Sequence, residues 1–490
     1  MANINNKLLF FIRSLTESEL IEFRKFIISP VYTSGRNYDT LLNEIIKFNS
    51  KESNRLTVQD LYSKLYPGKT FNPQTIKNRF SELLKLGEEF LVYRKIQDSP
   101  SEKDKLLLSS YLDRKMYKFL DSKLQKDICE LTSAPDDLKK FENLFSLQEL
   151  RIRSLGEKKK FDAYFQKFFE NTLLSTSIFL NNLFINGIEY KQQEYLNRKY
   201  EFNLVLELLK DMNLAKVMKK CHSSDLNILK IVSMNYNLYK AYENINNEDN
   251  YFEARKIFHE LQDSLSNEYK LELYMIFIYF CTRKQNQGVN KYYNELFKLF
   301  NEKLDSGFHG DFSQNIYPLN SFRDYVFVGI EINKLSWVED FLKKYSEFLP
   351  EDIRKNETDI AYAKLFCARK MFQNALDRIS AIKPSNFLHY IDVSIIKLNS
   401  YYELGEYEDA FTLIDRISHY LRNHKEIPKA HRASFSGFIK FMQLLLNTVT
   451  DPKKKDQAFL FTELSNYKMI SKRGWLTEKI TELNKLKKAV

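Results

Sequence analysis

The stretch YYELGEYEDAFTLIDRI, residues Tyr401 to Ile417, decides the fold class of this chain. It contains Gly405 where a turn between two helices is expected, then the aromatic residue Tyr407, and three residues later the small residue Ala410. An alanine on a helix lets a neighbouring helix approach closely, and the aromatic ring fills the gap beside it. The stretch therefore predicts two packed helices joined by a tight turn.

The same pattern recurs upstream at a nearly constant spacing. The segment KMFQNALDRI has Phe372 and Ala375 35 residues before Tyr407 and Ala410, and Trp337 lies another 35 residues upstream. Two prolines follow their helices 34 residues apart, where they prevent the helices from continuing. The tetrapeptide YFEA repeats the aromatic-x-x-alanine pattern nearer the N-terminus. The second half of the chain is therefore predicted to be a helical repeat.

A period near 34 residues with an aromatic, an alanine three residues later and a terminal proline resembles the tetratricopeptide repeat. The resemblance covers residues 236–440 and is strongest for two repeats, because Asp340 occupies the alanine position after Trp337. That repeat is either shifted or divergent. The resemblance implies stacked helix pairs whose first helices line a concave, peptide-binding face. The whole layout also resembles bacterial proteins of no assigned activity that join a helical N-terminal module to such an array.

The chain is therefore predicted to be all-α, a tetratricopeptide-like α-solenoid preceded by a small helical N-terminal module. Low counts of glycine (12) and proline (10) in 490 residues support this, because a strand-rich protein needs more turn residues. We predict four parts: the N-terminal module over 1–96, a helical middle region over 105–235, the repeat array over 236–440, and a basic helical C-terminal cap over 451–490.

The middle region is predicted to consist of amphipathic helices rich in aromatic residues. Its sequence fits either degenerate repeats or a plain helical bundle. The aromatic residues of one such helix are Phe161, Tyr164, Phe165, Phe168 and Phe169. The polar stretch Gln97 to Asp104 precedes this region and is predicted to mark a domain boundary.

Lys364 and Asn399 are candidate peptide-binding residues of the array. They occupy equivalent positions in the two best repeats, and the resemblance implies that both lie on the concave face. Many tetratricopeptide proteins hold the C-terminal carboxylate of a peptide with lysine and asparagine at such positions. Ile360 and Ile395 stand where further polar residues would complete such a clamp, so exposed polar residues without a ligand remain the alternative.

The N-terminal module contains a helix-turn-helix order. Thr57 is predicted to open one helix, and Asn72 to cap a second helix that starts at Pro73. If the second helix reads nucleic acid, the residues that contact it are Gln74, Lys77, Asn78 and Lys85.

Charge argues against nucleic-acid recognition by that helix. A duplex-reading helix presents a basic face, because neutralising phosphates supplies most of the affinity. Between Gln74 and Leu91 the basic and acidic residues balance, and Glu82 and Glu89 are predicted to share the solvent face with Lys85. A structural module or a protein-docking surface is the other interpretation.

The sequence contains no recognisable enzyme signature. Gly307 and Gly310 are the closest glycine pair, so no phosphate-binding loop is formed, and His259-Glu260 lacks the second histidine of a zinc protease helix. No metal site is predicted. Four cysteines at least 60 residues apart suggest reduced core residues rather than disulfides or a zinc site.

These observations predict a non-enzymatic scaffold or adaptor that binds a peptide or protein partner along the array. No cofactor, small-molecule substrate or membrane is expected, and the N-terminus lacks a signal peptide, so a cytoplasmic location is predicted. The net charge of +11 permits contact with polyanions. The alternative is a nucleic-acid-binding regulatory protein that uses the N-terminal module, with the array sensing a partner.

Overall fold

The computed structural model describes residues 6–33, 36–50, 58–198, 202–308, 319–384, 386–425, 427–450, 457–467 and 470–488. Regular structure in these ranges is helical, without any strand. The all-α class predicted from the sequence is therefore confirmed.

The described ranges contain twenty-five α-helices. The first nine are α1 Asn6–Ser14, α2 Glu17–Ile28, α3 Pro30–Thr33, α4 Asp39–Ser50, α5 Val58–Leu65, α6 Pro73–Gln97, α7 Pro100–Asp113, α8 Tyr117–Ser133 and α9 Leu138–Glu157. The next seven are α10 Phe161–Tyr195, α11 Leu204–Asp211, α12 Ala215–His222, α13 Asn227–Glu243, α14 Asp249–Leu261, α15 Asn267–Asn286 and α16 Lys291–Asp305. The last nine are α17 Leu319–Glu331, α18 Leu335–Tyr345, α19 Glu351–Ala368, α20 Phe372–Ile379, α21 Phe387–Leu404, α22 Tyr407–Asn423, α23 Lys429–Thr450, α24 Gln457–Ser465 and α25 Arg473–Lys488.

The density of contacts divides the chain into two compact units. The first comprises Met1–Leu183 and Ala215–Val232, and the second comprises Phe184–Leu214 and Ser233–Val490. The four parts that we predict from the sequence remain a prediction, since this division follows contact density alone.

Helix starts in the first unit follow from local capping chemistry. The Thr16 hydroxyl accepts from the Glu19 N–H, and the Glu19 carboxylate accepts from the Thr16 N–H at 2.8 Å, which forms a capping box before α2. Asn72 caps α6 by accepting from two main-chain N–H groups, with proline as the first helical residue. α5 begins at Val58, and Thr57 lies outside the described residues.

The core of the N-terminal helices forms where α1, α2 and α5 pack on α6, while α4 packs on α1, α2 and α5. The buried residues of α6 are Ile76, Phe80, Leu83, Leu86, Gly87 and Phe90. A Cβ atom at Gly87 would lie 2.5 Å from the Phe11 ring, so the glycine allows α1 to approach closely. The polar stretch Gln97 to Asp104 is mostly helical, since α6 ends at Gln97 and α7 begins at Pro100.

Each helix from α15 to α22 contacts the next one along the chain. In addition, α17 contacts α19 and α19 contacts α21. The helices α20 and α22 begin at Phe372 and Tyr407, the two aromatic residues that the 35-residue spacing identified. Ala375 and Ala410 are fully buried, as close helix packing requires.

A tight turn with one residue in the left-handed conformation joins α17 to α18, α19 to α20, and α21 to α22. Asn333, Lys370 and Gly405 have φ values of 59°, 59° and 77°. At each turn the N–H of the following residue donates to a carbonyl five residues earlier, at 2.8–2.9 Å, which is the Schellman bond that ends a helix. The same turn occurs in the first unit at Lys115 and Lys159.

Alignment of these turns corrects the register of one repeat. The residue five positions after the left-handed one is Val338 in the earlier repeat and Ala375 or Ala410 in the later ones, and all three are fully buried. Asp340, which the 35-residue spacing assigned to this position, is exposed. The buried position of this helix pair is therefore Val338, two residues before the position that the 35-residue spacing predicted.

Candidate binding groove

The second unit contains a groove with a volume of about 1520 Å³. It is lined by the turn between α15 and α16, by residues of α17, α19 and α21, and by the start of α25 with the turn that precedes it. Both residues predicted to bind a peptide, Lys364 on α19 and Asn399 on α21, line this groove.

Lys364 does not offer a free positive charge to the groove. Its ammonium lies 2.9 Å from the Asp392 carboxylate, and the other oxygen of Asp392 lies 3.6 Å from the Arg323 guanidinium. Because these charges compensate each other, Lys364 alone is a weak site for an anionic ligand.

Asn399 presents an unsatisfied polar group. Its side chain is only 6% exposed, and its Oδ1 atom has no hydrogen-bond partner among the described residues. A buried acceptor left without a donor costs about 1–3 kcal/mol. Ile360 and Ile395 are buried, and because their side chains are apolar, neither adds a polar group to the groove.

Next to the groove, Arg323, Glu357 and His389 form a largely buried charge network. The Arg323 Nε and Nη2 atoms donate to the two Glu357 carboxylate oxygens at 2.8 and 2.6 Å, and the His389 ring contacts the same carboxylate. Glu357 is 2% exposed and His389 is fully buried. Burial alone would lower the pKa of Arg323, but its hydrogen bonds to Glu357 and the nearby Asp392 outweigh burial and raise it.

The sequence analysis missed this network, although a signal for it exists. Arg323, Glu357 and Asp392 recur at intervals of 34 and 35 residues, which is the repeat period itself. Charged residues that recur at the repeat period lie level with each other on successive helices and can pair.

The start of α25 is fixed at one edge of the groove. The Trp475 Nε1 atom donates to the Glu403 carboxylate at 2.8 Å, and the Lys479 ammonium lies 2.8 Å from the same carboxylate. Lys479, in the region predicted to be a basic cap, is thus paired with a carboxylate of α21. Asp451 and Lys453 to Lys455, which we predict to open the cap, lie outside the described residues.

The four candidate nucleic-acid-binding residues of α6 are all exposed: Gln74, Lys77, Asn78 and Lys85. Glu82, expected on the solvent face beside Lys85, is half-buried instead. Its carboxylate accepts from the Tyr38 hydroxyl at 2.8 Å and pairs with Arg36 and Arg79 at 2.9 and 3.4 Å.

The aromatic residues that open α10 lie largely on the surface. Phe161, Phe165, Phe168 and Phe169 are 42–67% exposed, whereas a packed amphipathic helix would bury most of them. These four rings therefore contribute little to a core. Cys129 is also exposed, although all four cysteines were expected in the core.

We expect Phe165→Ser and Phe169→Ser each to change the free energy of unfolding by less than about 0.5 kcal/mol, because little apolar surface is buried at these positions. Phe184→Ala is the control, since that ring is fully buried and its loss should cost about 3–5 kcal/mol. Urea denaturation measures all three. A cost near that of the control at Phe165 or Phe169 would show that the surface is covered.

No protein-family model, curated protein or solved structure matches the chain. Of the helices in the described ranges, none combines the length and apolar character needed to cross a membrane. No group of three histidine, cysteine or acidic residues in those ranges could hold a metal ion. What the observations define is an all-α protein with a large groove lined by both polar and apolar residues.

Proposed function

We propose that the chain is a non-enzymatic scaffold or adaptor, a tetratricopeptide-like solenoid whose groove binds a peptide or protein partner. The groove carries the proposal. Its volume of about 1520 Å³ exceeds the roughly 300–1,000 Å³ of small-molecule pockets, and its walls come from successive inner helices. A long site with polar groups at intervals suits an extended peptide.

Selection of random synthetic peptides against the full-length chain tests this proposal. Phe327 lines the groove and is 45% exposed, so Phe327→Glu should fold normally yet weaken selected peptides about tenfold or more. Phe252 is a matched control, since it is 47% exposed and lies outside the groove. Absence of any binding peptide, or equal loss in Phe252→Glu, would overturn the proposal.

Nucleic-acid binding by the N-terminal module is the second candidate. It is favoured by the exposure of Gln74, Lys77, Asn78 and Lys85 on α6 together with the neutralised charge of Glu82. Each lysine that contacts phosphate adds to the salt dependence of binding. Titration of duplex and single-stranded nucleic acid at several salt concentrations tests it, and affinity unchanged by combined Lys77→Glu and Lys85→Glu removes this candidate.

A further inference from the structure

An uncharged stripe of exposed, mostly apolar residues runs along the first half of α10, within the first unit, and we call it the α10 stripe. Its members fall at i, i+4, i+7, i+8, i+11, i+12, i+15 and i+18, which is the spacing of one helix face. They are Phe161, Phe165, Phe168, Phe169, Thr172, Leu173, Thr176 and Phe179. The six apolar members are 38–67% exposed, so this face of α10 is open to solvent.

Another side of the same helix packs on the protein. The Asn171 Nδ2 atom donates to the Glu149 carboxylate of α9 at 2.8 Å. A Cβ atom at Gly156, also on α9, would lie 3.5 Å from the Tyr164 ring. Helix α10 is therefore held against α9 through residues that do not belong to the α10 stripe.

The area of the α10 stripe is that of an interface. A phenylalanine ring buries about 150–250 Å² when it is fully covered, so the exposed parts of the five rings and of Leu173 amount to roughly 600 Å². This is the upper end of the apolar patches that monomeric proteins leave in water. If the stripe packs on a second copy of itself, the two chains together cover about 1,200 Å², which is the lower limit for specific and stable interfaces.

The charges of α10 favour a second copy over a lipid surface. No charged residue lies between Glu170 and Glu189, so an identical face can approach without repulsion between like charges. A helix that lies on a lipid surface usually carries lysine and arginine along its polar face. In the first three turns of α10 the charged residues are two carboxylates, Asp162 and Glu170, and one lysine, Lys167, which pairs with Glu170.

The polar side chains of this face can be covered without losing hydrogen bonds. The Thr172 hydroxyl donates to the Phe169 carbonyl at 2.7 Å, and the neighbouring Ser175 hydroxyl donates to the Thr172 carbonyl at 3.0 Å. A buried hydroxyl is costly mainly when it has no hydrogen-bond partner, and both of these have one within their own helix. Packing of a second helix on this face therefore leaves these two hydroxyls satisfied.

Large and small side chains occupy opposite halves of the face. The first half carries four phenylalanines, and the second half has short side chains at Thr172, Ser175 and Thr176. An antiparallel pair of helices with its two-fold axis near residue 170 places Phe165 of one copy opposite residues 175–176 of the other, and Phe168 opposite Thr172. In a parallel pair each ring would meet its own copy, and the short residues would leave voids.

We propose that two copies of the chain associate through the α10 stripe as an antiparallel, two-fold symmetric pair. Identical surfaces that meet about a two-fold axis form the commonest oligomers, and they need only one self-complementary face. The covered area lies at the lower limit for stable interfaces, so we expect a dissociation constant of roughly 1–100 µM. No member of the stripe lines the groove, so this proposal is independent of the proposed function.

Sedimentation velocity of the full-length chain, from well below to well above this concentration range, measures the association. Phe165→Glu should weaken it about tenfold or more, because a carboxylate would be buried in the interface. Phe252→Glu, at an exposed phenylalanine of α14, is the matched control and should leave it unchanged. The small unfolding effects expected for Phe165→Ser and Phe169→Ser apply to the dilute, monomeric chain.

Two compensating variants test the antiparallel arrangement. Phe165→Lys and Thr176→Glu each place unpaired charges in the interface and should weaken the association. The double variant brings each lysine next to the glutamate of the other copy, so it should associate about threefold or more tightly than either single variant. The two positions are about 16 Å apart along the helix, so they cannot pair within one chain. In a parallel pair like charges would face each other, and the double variant would associate more weakly than either single one.

The outcomes distinguish what covers the stripe. A chain that stays monomeric at the highest concentration, or a Phe165→Glu variant that associates as the parent does, overturns the proposal. Binding of a monomeric chain to vesicles of phosphatidylcholine and phosphatidylserine, lost in Phe165→Glu, would show that lipid covers the stripe instead. A double variant that associates no better than the single variants overturns the antiparallel arrangement.

Discussion

Replacement of Glu357 by alanine is expected to lower the free energy of unfolding by about 3–5 kcal/mol, which is the usual effect of breaking a buried ion pair by removing one partner. The Glu357 carboxylate is 2% exposed and accepts two hydrogen bonds from Arg323 as well as the contact with His389. Without the Glu357 carboxylate, the Arg323 guanidinium would remain in the wall of the groove with only the more distant Asp392 as counter-ion.

Glu339→Ala is the matched control for this prediction. Glu339 also pairs with two cations, Lys343 at 2.9 Å and Arg369 at 2.6 Å, but its pairs lie on the surface. Surface ion pairs contribute little to the free energy of unfolding, so this variant should unfold at nearly the same denaturant concentration as the parent protein. Denaturant titrations followed by circular dichroism compare the three proteins. Equal midpoints for Glu357→Ala and Glu339→Ala would show that the buried network contributes no more than a surface pair.

Replacement of Lys303 by methionine is expected to stabilise the chain at neutral pH by about 2–3 kcal/mol. Lys303 is 5% exposed, and burial lowers its pKa to about 8 from the usual 10.5. Below pH 8 both the folded and the unfolded chain carry the proton, so the full cost of burying the charge is present. Methionine has a similar length and no charge to bury.

The pH dependence gives this prediction its sharpest test. Between pH 8 and 10.5 the unfolded lysine holds a proton that the folded one has released, so the parent protein gains stability as pH rises through this window. The gain in stability from Lys303→Met should therefore be largest below pH 8 and should approach zero towards pH 10.5. Lys298→Met, at an exposed position of the same helix, is the control. A constant advantage at all pH values would contradict the role of the buried charge.

Sequence periodicity correctly located Phe372 and Tyr407, where α20 and α22 begin. Gly405 marks its turn openly, and Tyr407 and Ala410 follow at the expected positions. At the earlier turn the left-handed residue is Asn333, and alignment on Trp337 therefore shifted the register by two residues. The left-handed residue before α20 is Lys370. A lysine in the sequence does not indicate this conformation, because residues other than glycine usually avoid it.

The candidate groove was predictable in part for a similar reason. Lys364 and Asn399 were found because they occupy equivalent positions within the repeat. Lys472 also lines the groove but follows the array, and only its tertiary packing, through Trp475 on Glu403, brings it there. The exposed phenylalanines of α10 could not be predicted either. An apolar stripe on a helix is usually buried, but the sequence does not show whether another element packs on it.

The two tryptophans of the chain lie in different surroundings. Trp337 stacks on Phe341 at a ring-centroid distance of 5.4 Å and donates to Asn301, so it is held between packed helices. Trp475 lines the groove. Indole fluorescence depends on the polarity and quenchers around the ring, so a Trp337→Phe variant leaves a single intrinsic reporter at the groove. Arrival of a ligand can then be followed in real time by emission intensity, without an attached dye.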